Sequence, residues 1–161
     1  MEGPMRISMR TDYALRALFT LVEHFGGGPI PIGELARRND VPKRFLEHIM
    51  LDLKEKGVVE SIAGKRGGYR LLRSPDRITM GEIVRHFDGY LAPLACVSIT
   101  EYKPCSQQTT CRFRPIFLEA SRSVTQLMDQ TTLAGVLQRS QLSGCCQTDS
   151  AVVEGGFGDG I

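Results

Sequence analysis

Apolar and polar positions along this chain form separate helical and strand-like patterns with sharp breaks between them. From Thr11 to Phe25 the apolar residues Ala14, Ala17, Leu18, Leu21, Val22 and Phe25 form one stripe at the helical period, and Gly26-Gly27-Gly28-Pro29 stops it. A short helix follows around Gly33–Arg38, with Leu35 and Ala36 inward, and Asn39-Asp40 makes a turn. Pro42 suits the first turn of a third helix, where its missing N–H is not needed. Phe45, Leu46, Ile49, Met50 and Leu53 are that helix's buried stripe, and Gly57 is placed to end it. Val58–Ile62 and Tyr69–Leu72 read as two short strands, joined by the glycine-rich hairpin tip Gly64-Lys65-Arg66-Gly67-Gly68.

Beyond Pro75, Thr79-Met80-Gly81-Glu82 matches a capping box, in which Thr79 and Glu82 exchange hydrogen bonds with backbone N–H groups at a helix start. That helix is expected to run to about Phe87. A polar, proline-punctuated loop carries Cys96, Cys105 and Cys111. A long helix then spans Phe113–Gln130, with Pro115 in its first turn and Ile116, Phe117, Ala120, Val124, Leu127 and Met128 along one face. A short helix near Leu133–Leu137 closes the ordered part. From Ser140 on, five glycines in 22 residues and few large apolar side chains predict a disordered tail.

Helix, short helix, turn, helix and basic hairpin is the order of a winged helix-turn-helix. The expected division is a DNA-binding domain over 5–88, a cysteine loop over 89–112, a long and a short helix over 113–139, and a tail over 140–161. A chain of 161 residues can bury a core of this size. The third helix would enter the major groove with Lys43, Arg44, Glu47 and His48 outward. Lys43 and Arg44 donate to guanine or phosphate; Glu47 accepts from cytosine N4 and repels phosphate elsewhere. Lys65 and Arg66 at the hairpin tip suit the electronegative minor groove. Taken alone, that helix face is equally a solvated surface; the hairpin beside it favours double-stranded DNA as partner.

Charge distribution agrees. The net charge is only +2, but residues 1–73 carry 13 Lys and Arg against 9 Asp and Glu, whereas residues 140–161 carry three acids and no Lys or Arg. The basic surplus thus lies where a nucleic-acid face needs it. No run of 18 apolar residues is present, so no membrane span is expected. The N-terminal MEGPMRISMR has no apolar core of a secretory signal, which makes the cytoplasm the expected location. No constellation of an enzyme active site is visible: no Cys-His dyad with a local signature, no phosphate-binding glycine loop, no metalloprotease motif.

Five cysteines are an odd count, and three are clustered at C-x8-C-x5-C. In a cytosolic protein this pattern favours metal or redox chemistry over a disulfide framework. Soft thiolates suit an iron–sulphur cluster, a structural zinc or a thiol redox switch, and the spacing by itself leaves these open beside cysteines with no joint role. Cys145-Cys146 in the tail read as incidental, and His24 and His86 as surface or helix-face histidines.

Four segments carry a family resemblance. Arg10-Thr11-Asp12-Tyr13-Ala14-Leu15-Arg16-Ala17-Leu18 is similar to the first-helix signature of the IscR/NsrR/RirA family of bacterial transcription regulators. So are Phe45-Leu46-Glu47-His48-Ile49, Arg66-Gly67-Gly68-Tyr69-Arg70-Leu71 and Ile78-Thr79-Met80-Gly81-Glu82-Ile83-Val84, in the same order over roughly residues 5–138. The resemblance implies a mainly α fold with a small β-hairpin wing: a winged helix-turn-helix plus a long C-terminal dimerisation helix. It implies a homodimer on a palindromic operator. In cluster-binding members the three cysteines ligate an iron–sulphur cluster that reports iron–sulphur status, redox stress, nitric oxide or iron supply. Some relatives add a histidine three residues after the third cysteine; here that position is Arg114, which cannot ligate. Others use an acid of the first helix donated across the dimer, and the matching residue is Asp12, with Arg16 one turn on. Asp12 is also simply an acid at a helix's positive end. The longer first spacing leaves the cluster open between [2Fe–2S] and [4Fe–4S]. The alternatives are a cluster-independent repressor answering a small molecule or thiol oxidation, and a zinc-stabilised interaction module.

Overall fold

Residues 7–142, except 90 and 101, are described by a computed structural model. Helix α1 (Met9–Glu23) begins at Ser8, whose hydroxyl accepts the Thr11 N–H at 3.2 Å. This cap satisfies one of the amides that the first turn leaves unpaired. Ala14, Ala17, Leu18 and Leu21 turn inward and are almost wholly buried. Helix α2 (Ile32–Asn39) adds Leu35 to the same core and ends at Asp40, which adopts the left-handed conformation at φ 51°. Aspartate tolerates that region better than most side chains, so the Asn39-Asp40 turn has a local cause.

Helix α3 (Lys43–Glu55) follows with Pro42 as its cap, the Pro42 carbonyl accepting from the Phe45 and Leu46 amides at 3.0 Å. Leu46, Ile49, Met50 and Leu53 have no exposed surface. Each such side chain contributes about 1.5–3 kcal/mol by leaving water. Phe45, expected in this stripe, is instead 45% exposed and meets the Tyr13 ring edge-on at 5.8 Å. It lies at the margin of the stripe, where helical period alone does not decide inside from outside.

Strands β1 (Val59–Ile62) and β2 (Gly68–Leu71) pair antiparallel with Val59 opposite Leu71 and Ile62 opposite Gly68. The hairpin is tied to the helices at Ile30, whose amide and carbonyl exchange hydrogen bonds with Tyr69 at 2.9 and 2.8 Å. A Cβ on Gly68 would collide with the Ile30 carbonyl, so glycine permits this close approach.

A single 3₁₀ turn (Pro75–Arg77) leads to α4 (Met80–Asp88). Thr79 caps α4 by accepting the Glu82 amide at 3.1 Å. The return half of the expected capping box is replaced: the Glu82 carboxylate pairs with Arg73 at 2.6 Å, and Arg73 also donates to the Gly57 carbonyl. The wing's exit is thereby fastened to α4. Helix α5 (Arg114–Gln130) packs on α4 where Gly81 gives room; a Cβ there would strike the Asp129 carboxylate, which pairs with Arg85. Chain return is secured by Met80 N–H to Thr131 O and Leu133 N–H to Ile78 O, both 2.9 Å. Leu133, the first residue of α6 (Leu133–Leu142), is fully buried in the core beside α1. Among the described residues no helix is long and apolar enough to cross a membrane.

The face expected on α5 divides in two. Val124 and Met128 turn toward Gly81, Val84 and Leu91, lining a small cavity between α4 and α5. Ile116 and Leu127 face outward, 66% and 59% exposed, joined by Phe113, Phe117 and Ala120. Six apolar residues on 3.6 residues per turn cover more than one direction, and packing against α4 took the inner pair.

Candidate DNA interface and cysteine loop

The α2–α3 turn and the buried underside of α3 present Lys43, Arg44 and His48 to solvent, with Glu47 half-buried between them. Glu47 is not free: its carboxylate lies 3.7 Å from the Lys43 ammonium one turn earlier. An exposed pair of this kind is worth about 0.3–0.5 kcal/mol, weak enough to open when a base or phosphate competes. At the wing tip Gly64 sits at φ +112°, a turn that an L side chain rarely adopts, and both Lys65 and Arg66 are exposed. Among the described ion pairs none uses Arg44, Lys65 or Arg66. Uncommitted cations at a helix start and a hairpin tip are what a duplex backbone requires. Behind the tip, Glu60 and Arg70 pair across the strands at 2.7 Å and keep their charges to themselves.

Two aromatic residues and a cation adjoin this face, and the sequence reading did not foresee their contacts. Arg16 lies 5.7 Å from the Tyr13 ring centroid, and Tyr13 meets Phe45 on α3. Asp12 pairs with Arg16 at 2.7 Å. Asp12, Arg16, Tyr13 and Phe45 thus form a chain of contacts from the first turn of α1 to the first turn of α3. The only sequence signal for it was the spacing of Asp12 and Arg16, one helical turn apart.

All three clustered cysteines are free thiols on the segment between α4 and α5: Cys96 and Cys111 half-buried, Cys105 exposed. Cys96 sits in a 3₁₀ turn (Ala95–Val97) that Val97 anchors by burial. Ser121 of α5 donates to the Leu91 carbonyl at 3.0 Å, and Arg114 Nη2 reaches the Cys96 carbonyl at 3.4 Å. Around Cys105 the described backbone bonds are short-range, such as Gln108 N–H to Cys105 O and Thr110 N–H to Gln107 O. Among the described residues no three His, Cys, Asp or Glu side chains converge as metal ligands. Within one chain the partner of Asp12 is Arg16, not a cysteine. The donor chemistry fits an iron–sulphur cluster: three soft sulphur donors on one loop, beside a buried cationic donor, Arg114 Nε, that lacks an acceptor. Cys145 and Cys146 lie outside the described residues.

Comparison with known proteins places these features in a family. The model of the Rrf2 family, described as iron-dependent transcriptional regulators, matches residues 7–139. An rrf2-like HTH-type transcriptional regulator of Rhodobacter capsulatus is 42% identical over 137 residues, covering 81% of this chain and 91% of that protein. The HTH-type transcriptional regulator CymR of Bacillus subtilis is 32% identical over 129 residues, covering 80% and 87%. The solved structure of T. potens IscR superposes with a TM-score of 0.67 at 27% identity, covering 88% of this chain and 93% of that one.

Proposed function

From the premise that the chain belongs to the Rrf2 family of transcriptional regulators, and not to a family of enzymes, we propose that it is a cytoplasmic homodimer that binds a palindromic operator and senses its signal through an iron–sulphur cluster. The observation that carries the reading is the position of the three free thiols. They lie on the one loop joining the DNA-binding unit to the helix with the exposed apolar seam. Cys96, Cys105 and Cys111 would supply three thiolates, and Asp12 of the partner subunit the remaining position. A bound cluster supplies a centre that oxygen, nitric oxide or iron shortage can alter.

The chain's own residues do the rest. The outward seam of α5 pairs two copies, and so sets the separation of their two α3 helices. Palindromic half-sites lie about one helical turn, roughly 34 Å, apart, so small changes in loop and dimer geometry alter the fit. Lys43, Arg44, Glu47 and His48 meet the major groove, and Lys65 and Arg66 the minor groove. Drawing the Asp12 carboxylate away from Arg16 would free that cation from its place over Tyr13, which touches Phe45 of α3. The signal can shift DNA affinity only by its differential affinity for the two states, typically about 1–3 kcal/mol of coupling.

A second reading has one observation in its favour. Cys105 is an exposed, unpaired thiol on a locally bonded loop, which suits a cluster-independent thiol switch. Anaerobic purification with absorption spectra and iron, sulphide and zinc counts separates the readings. Brown protein with charge-transfer bands and matching iron and sulphide supports the cluster. Colourless, metal-free protein whose operator binding changes on thiol oxidation supports the switch, and stoichiometric zinc supports a structural site.

A further inference from the structure

Among the described residues one buried side-chain polar atom has no hydrogen-bond partner: Nε of Arg114. Leaving a buried donor unmet costs about 1–3 kcal/mol, and more when the group is charged. Such an atom in a packed region calls for a reason. Arg114 opens α5, three residues after Cys111, and its Nη2 is already spent on the Cys96 carbonyl at a long 3.4 Å. The guanidinium is therefore held against the cysteine loop with one donor satisfied and another waiting. No side chain caps the start of α5, so the positive end of that helix adds to the same field. Arginine neither ligates a metal nor loses its proton in proteins. Its contribution here is a fixed charge and a fixed N–H.

We propose that Arg114 is a positioning residue for the sulphur ligands of this loop. Its Nε–H donates to a sulphur of the Cys96, Cys105 and Cys111 site, a thiolate or an inorganic sulphide, and its charge offsets an all-anionic ligand set. The inference rests on the cluster reading above. The acceptors with the right chemistry are carried by the same loop, and they are anionic only once the thiols are committed as ligands. Partners of this outer kind orient ligands, and their removal typically costs roughly 10–100-fold in metal affinity. Hydrogen bonds and positive charge at the sulphurs also favour the reduced, more negative state, which raises the reduction potential.

The test uses the full chain, reconstituted anaerobically with iron and sulphide, as wild type, Arg114→Met and Arg114→Lys. Arg114→Met is expected to take up a cluster but to lose iron to a ferrous chelator roughly ten-fold faster or more, with its midpoint potential shifted to more negative values. Arg114→Lys, which keeps the charge without the fork, should recover part of the potential shift and little of the retention. Metal-free Arg114→Met should melt at or above the wild-type temperature, because it deletes a donor that has no partner. Wild-type release rate and midpoint in Arg114→Met would overturn this inference and leave the cluster reading intact. A metal-free Arg114→Met that melts well below wild type would overturn it as well, by making the arginine a structural residue. Wild-type protein that takes up no iron and sulphide would overturn the proposed function first, and this inference with it.

Discussion

Replacing Leu127 by alanine removes most of an isobutyl group that is 59% exposed in the single chain. Complete burial of a leucine contributes about 1.5–3 kcal/mol, so the share still available for burial in a partner is roughly 1–2 kcal/mol per copy. A two-fold axis counts every substitution twice, which brings the loss to about 2–4 kcal/mol per dimer, or roughly 30- to 1,000-fold in Kd. Ile116, at 66% exposed, should respond similarly. Val124 supplies the contrast, because it faces Gly81, Val84 and Leu91 within its own chain. Val124→Ala should lower the melting temperature with little change in the dimer Kd. Sedimentation equilibrium over a dilution series measures the Kd, and thermal melts measure the stability. A Leu127→Ala dimer as tight as wild type, together with a weakened Val124→Ala dimer, would sink the division of α5 into an inner and an outer face. A monomeric wild type would sink the dimer itself.

Four further outcomes are expected. Arg66→Ala should weaken operator binding by about 1–3 kcal/mol. Glu47→Ala should broaden base preference with little loss of affinity, since it also frees Lys43 from their 3.7 Å pair; gel-shift titrations on matched and mismatched operators read both. Each of Cys96→Ala, Cys105→Ala and Cys111→Ala should abolish iron and sulphide uptake, while Cys145→Ala and Cys146→Ala should not; uptake retained by Cys105→Ala and lost by Cys145→Ala would show the ligand assignment to be wrong. The Glu34 carboxyl is held below its ordinary value of 4.5 by hydrogen bonds from Arg38 and then Arg37. A depressed folded-state pKa stabilises the fold above about pH 4.5, and that contribution is lost as the pH falls through the lower folded value. Glu34→Gln should therefore flatten the acid side of the melting profile, and an unchanged slope would count against the pairing.

Sequence alone determined the elements whose cause is local. Apolar period and punctuation located the four α-helices and both strands up to Asp88 to within two residues, because caps, glycines and prolines act on their immediate neighbours. The family resemblance and the fold it implied were legible for the same reason, since the quoted motifs sit on those helices and on the wing. Tertiary structure decided what a single element cannot report. Phe45 and Val124 exchanged the sides their stripes implied, because the facing helix and not the period settles which marginal residue is covered. Glu82 left its capping box for Arg73, a partner nine residues away that only the wing's return brings within reach. Leu133 entered the core of a unit that ends in sequence some forty-five residues earlier, because Thr131 and Leu133 pair with Met80 and Ile78. Arg114 was visible in the sequence only as a residue unable to ligate. That its Nε is buried beside Cys96 with no acceptor is a property of packing, which no spacing of cysteines encodes.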